Sequence, residues 1–297
     1  MAHESAATFE QPGRVGQLGP LEEADVDVRR EGVDVAEGGV APDRRGEVEE
    51  PVHGRRWCRA GARLDSRPTM SLPPPAPAPQ LNRLVYREPR LGRDYWVLDD
   101  ALPDPMAVRE RALTRQDWVL GAPHRPESWP GMRLQPGLLA EELAPLERWM
   151  LKQTGCKKVY APQVGAADRI NHNCVQLVGL GEGRIKPHTD SRALCTYAAV
   201  LYLSPDTPVH AGTSFFRVVH PDGRPGGNCV PSRFANLVEA FGTRFVPPGL
   251  FVQDVTVDAR FNRLLLYRAD MIHSASAYFG EALAERRMTA VFFWMAR

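Results

Sequence analysis

A histidine and an aspartate that stand two residues apart, His188 and Asp190, limit the fold of this chain more than any other feature. Side chains two positions apart on an extended strand point to the same face, so this spacing predicts a strand that presents an imidazole and a carboxylate to one point, with Thr189 facing away. His273, on a later strand, can bring a second imidazole to that point. Two nitrogen donors and one oxygen donor on one side of a metal ion leave its opposite positions open. The sequence therefore predicts a metal site held between strands.

Strand patterns dominate the chain from residue 172 onward, and they determine the predicted fold. Runs rich in branched and aromatic residues predict strands at 172–178, 197–203, 213–219, 251–257 and 263–267. An earlier strand is predicted at 95–98, with helices at 105–115 and 137–154, the second of which carries leucines at helical spacing. Many short strands with irregular connections predict a closed or sandwich-like, mainly β architecture, here with a double-stranded β-helix core of the jelly-roll or cupin-like type and flanking α-helices.

Three segments between these elements have their own interpretation. Residues 117–134 are rich in Pro and Gly and predict a loop, and an ordinary connecting loop is favoured over a lid on the site. Residues 221–248 read as an insertion with a short helix at 234–241. The glycine-rich run at 179–183 leads into a strand, so it offers no helix N-terminus to a pyrophosphate, and nucleotide binding is rejected.

Composition bounds the class of protein. The 297 residues are 43% hydrophobic and 25% charged, which is ordinary globular usage. The formal net charge of +1 gives no electrostatic reason to expect nucleic acid as a partner. A run of 18 or more apolar residues and a signal-peptide pattern are both missing, so we expect no membrane association and a cytoplasmic location. The five cysteines are odd in number and scattered, which predicts free thiols.

The first 80 residues differ from the rest of the chain. They contain few large apolar residues among many Glu, Asp, Arg and Gly, so they cannot bury enough surface to offset chain entropy. We therefore expect residues 1–80 to be disordered and residues 81–297 to form one domain. Met70 precedes a proline-rich lead-in and is interpreted as the true initiator, with the preceding segment a mis-annotated start.

The order of motifs resembles a known family. Residues 181–217 contain Pro-His-Thr-Asp, then an apolar strand, then Gly-Thr-Ser-Phe-Phe, and they resemble the prolyl-4-hydroxylase-like branch of the 2-oxoglutarate/Fe(II)-dependent dioxygenases. Residues 264–294, with a late histidine followed by Arg-Met-Thr, are similar to the last strands of that branch. Residues 95–105 further resemble an uncharacterised bacterial subfamily. The resemblance covers roughly residues 81–297.

This resemblance implies a set of roles. His188, Asp190 and His273 would hold Fe(II), and Arg287 with Thr289 would bind the far carboxylate of 2-oxoglutarate, with O2 as the oxidant. An aspartate at the carboxylate position favours hydroxylation over halogenation, which needs a small residue there. The implied enzyme is a hydroxylase-type dioxygenase that acts on an unidentified small-molecule or peptidyl substrate, with no nucleic acid or membrane partner.

Strand alternation allows only one of Arg286 and Arg287 to face the interior, and periodicity alone does not decide between them. The match to Arg-x-Thr favours Arg287. Two departures from the family pattern are visible. Relatives place a tyrosine on the strand before His-x-Asp, where this chain has Leu-Val-Gly at 177–179, and the interval from His273 to Arg287 is longer.

Two other function classes stay open beside the dioxygenase. One is a non-catalytic β-barrel that binds a metal or small ligand, and the other is a cupin-like metal enzyme that uses Zn or Mn without 2-oxoglutarate, because ligand type alone does not fix the metal. His172, His210 and His220 are not expected to be ligands, since none completes the ordered pattern. For the three predicted ligands we expect donor atoms within about 3 to 4 Å of one another, as sharing one ion at about 2 Å per bond requires.

Overall fold

The computed structural model describes residues 77–120, 130–161 and 172–297. The chain divides after Thr69, and all described residues belong to the second unit, Met70–Arg297. The predictions for residues 1–76, including disorder and the role of Met70 as initiator, lie outside the described residues.

Short antiparallel strands make up most of the described secondary structure. The strands are β1 Tyr95–Leu98, β2 Val119–Leu120, β3 Met132–Leu134, β4 Val159–Tyr160, β5 Cys174–Val178, β6 Tyr197–Tyr202, β7 Gly212–Val218, β8 Phe251–Asp258, β9 Leu264–Arg268, β10 His273–Ala275 and β11 Arg287–Ala296. The helices are α1 Pro105–Thr114, α2 Ala140–Thr154 and the short α3 Leu237–Phe241, with 3-10 turns at Leu81–Arg83 and Pro248–Leu250. The prediction of a mainly β fold is confirmed.

The strands form two sheets. The larger has the order β1-β9-β6-β11-β5-β3-β2, with β4 paired to β11, and the smaller has the order β10-β7-β8. Buried side chains from both sheets pack together, among them Phe215 and Val257 from the small sheet and Tyr202, Tyr267 and Phe293 from the large one. This cluster lies on the face of the large sheet that also carries the candidate site.

Helices α1 and α2 contribute to a second core, on the other face of the large sheet. Val108 of α1 and Met150 of α2 are buried there with Leu201 and Phe292. Burial of each such side chain contributes on the order of 1.5 to 3 kcal/mol to stability. Helix α1 begins after Asp104, whose carboxylate accepts from the Ala107 amide at 2.9 Å, as expected of an N-cap.

The prediction of one loop over residues 117–134 is wrong at both ends. Strand β2 pairs with β3, and β3 pairs with β5, so these two strands extend the large sheet at one end. The physical reason is burial, since Leu134 is 2% exposed and joins the core next to α2. The predicted helix at 137–154 also starts later, at Ala140. The Asn173 side chain accepts a hydrogen bond from the Leu138 amide and donates one to the Leu138 carbonyl, so both groups are engaged outside the helix.

Two expectations from composition can be compared with the described residues. Cys156, Cys174, Cys195 and Cys229 are free thiols there. Within the same part of the chain, no helix combines the length and the apolar character needed to span a bilayer.

Candidate metal centre

The backbone brings His188 and His273 side by side. The His188 amide donates to the His273 carbonyl at 3.0 Å, and the His273 amide donates back to the His188 carbonyl at 2.8 Å. His273 also begins β10, where it pairs with Phe215 of β7. The strand predicted for His188 and Asp190 is absent, because this exchange is an isolated bridge of one residue pair. The segment is therefore anchored to the small sheet without forming a regular strand.

The three predicted ligands converge. One donor atom each from His188, Asp190 and His273 can be chosen so that all lie within 4.8 Å of one another. The His273 Nε2 atom is 3.6 Å from the Asp190 Oδ2 atom, and the two imidazole centroids are 4.5 Å apart. The full set is wider than the predicted 3 to 4 Å, which assumed an ion about 2 Å from each donor.

Hydrogen bonds orient both imidazoles. The Nδ1 atom of His188 lies 2.9 Å from the Lys186 carbonyl, and that of His273 lies 2.9 Å from the Met271 carbonyl. A carbonyl can only accept, so each Nδ1 carries the proton and each Nε2 keeps its lone pair. Backbone bonds of this kind fix ring orientation in protein metal sites.

Burial makes the site electrostatically incomplete. Asp190 is 7% exposed, and its Oδ2 atom has no hydrogen-bond partner among the described residues. Burial raises the pKa of Asp190 to about 6. Burial also lowers the pKa of His188 and of His273 to about 4. Two neutral imidazoles and a carboxylate that lacks a counter-charge are the donor set that a divalent cation needs, so these residues fit a metal ion.

A tyrosine that the sequence patterns did not single out belongs to this site. The Tyr267 hydroxyl donates to His273 Nε2 at 3.1 Å, and the residue is 3% exposed. Its ring packs edge-on against Phe215 at 5.8 Å. An imidazole nitrogen has one lone pair, so the hydroxyl uses the lone pair that a metal ion would take. Leu265 and Tyr267 are two positions apart on β9, so strand alternation could have predicted that Tyr267 faces the interior. Nothing in the sequence, however, predicts the position of Tyr267 relative to His273.

Arg287 occupies the inner part of the same cavity. It is 5% exposed, and its guanidinium lies 5.9 Å from the ring centroids of both Tyr202 and Tyr278. Its Nη1 atom is 3.5 Å from the hydroxyl of Thr289, and its Nε atom has no partner. Within the described residues, no carboxylate lies at ion-pair distance from this guanidinium. A buried cation without a counter-charge is energetically costly, so this position favours the approach of an anion.

Arg286 points away from this cavity. It pairs with Glu182 at 2.7 Å and donates to the Glu281 carbonyl at 3.2 Å. Arg287 and Thr289 therefore share the cavity face of β11, in the register that the Arg-x-Thr pattern favoured. Tyr202 and Tyr278 stand beside Arg287, whereas residues 177–179 contribute no tyrosine. Tyr278 comes from the long segment between His273 and Arg287, which sequence patterns could not place.

The three other histidines of this half do not join the cluster. His172 accepts a hydrogen bond from the Phe293 amide at 3.1 Å. The His210 side chain is 84% exposed, and His220 lies in a turn closed by Arg224.

The candidate ligands and Arg287 line one cavity of about 1370 Å³. Ligand pockets commonly measure about 300 to 1,000 Å³, so this one has room beyond a small co-substrate. Its inner end holds the ligand cluster, Arg287 and Thr289, and its outer part is bordered by residues 181–187 and 236–251.

Distant likenesses to solved structures accompany this geometry. The chain is similar to SnoN, a non-heme alpha ketoglutarate dependent epimerase from nogalamycin biosynthesis, with 17% identity over 68% of this chain and 79% of that chain and a TM-score of 0.40. It is also similar to a prolyl-4-hydroxylase of Pseudomonas putida, with 15% identity over 69% and 94% of the two chains and a TM-score of 0.38. For EctD from S. alaskensis with bound Fe, the identity is 15% over 73% and 82%, with a TM-score of 0.36.

Sequence comparison places the chain in a family. No curated protein has a significantly similar sequence. Residues 79–293 match the family DUF6445, which is described as a family of unknown function. The match covers β1 to β10, most of β11, both candidate histidines and Arg287, and the chain therefore belongs to the DUF6445 family.

Proposed function

We propose that this protein is an Fe(II)- and 2-oxoglutarate-dependent oxygenase of the hydroxylase type, built on a double-stranded β-helix core. His188, Asp190 and His273 are the proposed metal ligands, and Arg287 with Thr289 is the proposed site for the far carboxylate of 2-oxoglutarate. One observation carries the proposal: a buried guanidinium without a carboxylate partner shares a cavity with a cluster of two histidines and an aspartate whose carboxylate oxygen also lacks a partner.

The charges of the cavity support this assignment. A buried charge that lacks a counter-charge and leaves a polar atom without a hydrogen bond is costly, and among the described residues this cavity contains one such charge of each sign, on Asp190 and Arg287. A divalent cation would compensate Asp190, and a dicarboxylate would compensate Arg287. A guanidinium offers a planar fork that pairs with a carboxylate through two parallel hydrogen bonds. The same two ligands therefore complete both incomplete parts of the site.

The chemistry divides between the bound groups and the chain. Fe(II), 2-oxoglutarate and O2 together supply an oxidant strong enough to remove a hydrogen atom from an unactivated carbon. The chain supplies orientation: carbonyls of Lys186 and Met271 hold the imidazoles, and Arg287 fixes one end of the co-substrate. The apolar side chains around the site exclude water, which strengthens each of these polar contacts. The substrate is proposed to be a small molecule or a peptidyl group.

An anaerobic titration with Fe(II), with and without 2-oxoglutarate, tests the proposal. We expect about one iron per chain and a weak visible charge-transfer band that appears when both are present. Glutarate is the matched control, because it has both carboxylates but lacks the keto group, and it should give no band. Iron binding without a band would favour a cupin-like metal enzyme that does not use 2-oxoglutarate. Failure to bind iron would contradict the proposal as a whole.

Metal affinity should depend on pH in a defined range. Metal binding needs an ionised Asp190 and neutral histidines, and burial raises the pKa of Asp190 to about 6 while it lowers that of each histidine to about 4. Affinity for Co(II), an air-stable probe, should therefore be constant above about pH 7 and fall by up to about tenfold per pH unit below pH 6. Below about pH 4 the fall should steepen. An affinity that stays constant down to pH 4 would contradict the burial of Asp190.

A further inference from the structure

The outer part of the cavity has two walls. One wall is the segment 181–187, which leads to the ligand His188. The other comprises residues 236–251 and includes α3. The Leu237 amide donates to the Thr189 hydroxyl at 2.9 Å, and the Arg192 amide donates to the Ala235 carbonyl at 2.8 Å, so the second wall is attached to the ligand segment. Both walls are therefore fixed relative to the candidate metal centre.

Exposed apolar side chains line both walls of this part of the cavity. Ile185 on the first wall is 55% exposed, and Val238 on the second is 45% exposed. Further apolar residues of the second wall line the cavity, namely Leu237, Phe241, Val246 and Phe251. Contiguous apolar surface of this kind, bordered by polar residues, typically marks a ligand-binding site.

Positive charge surrounds the apolar surface. Arg184, Lys186 and Arg244 line the cavity and are exposed, and the side chain of none of them has a hydrogen bond or an ion pair within the described part of the chain. The two acidic residues of these walls are engaged. Glu182 is paired with Arg286 at 2.7 Å, and Glu239 accepts from the Ala235 amide at 2.6 Å. Glu182 is therefore neutralised, and the three cations outnumber Glu239, whose carboxylate keeps its charge.

We propose that the outer cavity binds a small amphiphilic anion, which has an apolar body and a carboxylate, sulfonate or phosphate group. The apolar body lies against the α3 wall, and the anionic group lies near Arg184, Lys186 and Arg244. That this ligand is the substrate rests on the proposed oxygenase function, whereas the binding itself does not. The cavity volume of about 1370 Å³ accommodates such a molecule beside a co-substrate.

A matched pair of dyes tests the site in the metal-free protein. The anionic probe is 8-anilinonaphthalene-1-sulfonate, and N-phenyl-1-naphthylamine has the same aromatic rings without the sulfonate. We expect the anionic dye to bind more tightly, and its advantage should shrink as salt is raised from 50 to 500 mM because the cations are exposed. The double variant Arg184→Gln/Lys186→Gln should weaken the anionic dye by about 3- to 10-fold and leave the neutral dye unchanged.

Two controls locate the dye. The double variant Arg148→Gln/Lys152→Gln removes the same two residue types from exposed positions on α2, outside the cavity, and should change neither affinity. Val238→Asp should weaken both dyes, because it places a carboxylate on the apolar wall. Val209→Asp should have no effect, since Val209 is 83% exposed and lies outside the cavity lining.

The outcomes separate this inference from the proposed function. Equal affinity for the two dyes, or equal losses in the cavity variants and their controls, would overturn the inference. Iron binding is measured independently on the same proteins. A preference for the anionic dye in a protein that binds no iron would support the outer-cavity site and contradict the oxygenase function. Iron binding without that preference would support the metal centre and contradict the outer-cavity site.

Discussion

Replacing His273 with alanine is expected to lower the affinity for Fe(II) by more than about 100-fold, beyond the 10- to 100-fold losses typical of residues that only support a ligand. His273 and His188 supply the two proposed nitrogen donors, and a metal ion would replace the Tyr267 hydroxyl at His273 Nε2. The ring of His273 is already oriented by the Met271 carbonyl. The remaining pair, His188 and Asp190, would leave the ion with two protein donors. Anaerobic equilibrium binding against a competing chelator measures the change.

His220→Ala is the matched control for this prediction. His220 lies in the turn closed by Arg224, away from the cavity lining, so its removal should leave iron affinity unchanged. The substitution at position 273 also leaves the buried Tyr267 hydroxyl without its acceptor, so the free energy of unfolding should fall as well, by about 1 to 3 kcal/mol. If iron affinity survives in His273→Ala while only stability falls, His273 is a structural residue and the metal centre is assigned incorrectly.

Replacing Arg287 with alanine is expected to weaken 2-oxoglutarate binding by roughly 30-fold or more, while Fe(II) affinity stays unchanged. Loss of a desolvated charge partner typically costs about 2 to 5 kcal/mol, and the structure gives this guanidinium no other carboxylate among the described residues. For the same reason, the ligand-free variant should lose little stability. The charge-transfer band, followed as 2-oxoglutarate is added to the iron-loaded protein, measures the affinity.

Arg286→Ala provides the control, because it removes a neighbouring guanidinium from the same strand end. Arg286 is already paired with Glu182, so its loss should not affect 2-oxoglutarate affinity. If Arg286→Ala abolished binding and Arg287→Ala did not, the assignment of the carboxylate site would be reversed. If neither variant had an effect, the oxygenase proposal would lose its support beyond the metal ligands.

The parts of the site that follow local spacing could be predicted from sequence. Alternation along extended backbone put His188 and Asp190 on one side and Thr189 on the other. The predicted strand is absent, but the Thr189 hydroxyl does accept a hydrogen bond from the Leu237 amide and not from the cluster. The same rule paired Arg287 with Thr289. Strong apolar periodicity likewise placed helix α2 near its observed position.

The parts that depend on strand register could not be predicted. Tyr267 contacts His273 because β9 runs beside β6 and the chain then turns back into β10. No local sequence pattern predicts that turn. Tyr278 reaches Arg287 from an irregular segment that has no periodicity. Strands β2 and β3, at one end of the large sheet, are too short to give a pattern, and their proline- and glycine-rich surroundings resemble a loop.

The hydrogen bond from the Leu237 amide to the Thr189 hydroxyl affects which residues of the cavity wall can be substituted during evolution. The second wall is tied to the ligand segment by a backbone amide, which every residue except proline possesses. An exposed side chain such as Val238, which is 45% exposed, can therefore be exchanged without altering the tether or the proposed metal ligands. Selection can therefore reshape the entrance of the cavity without changing the residues at its inner end.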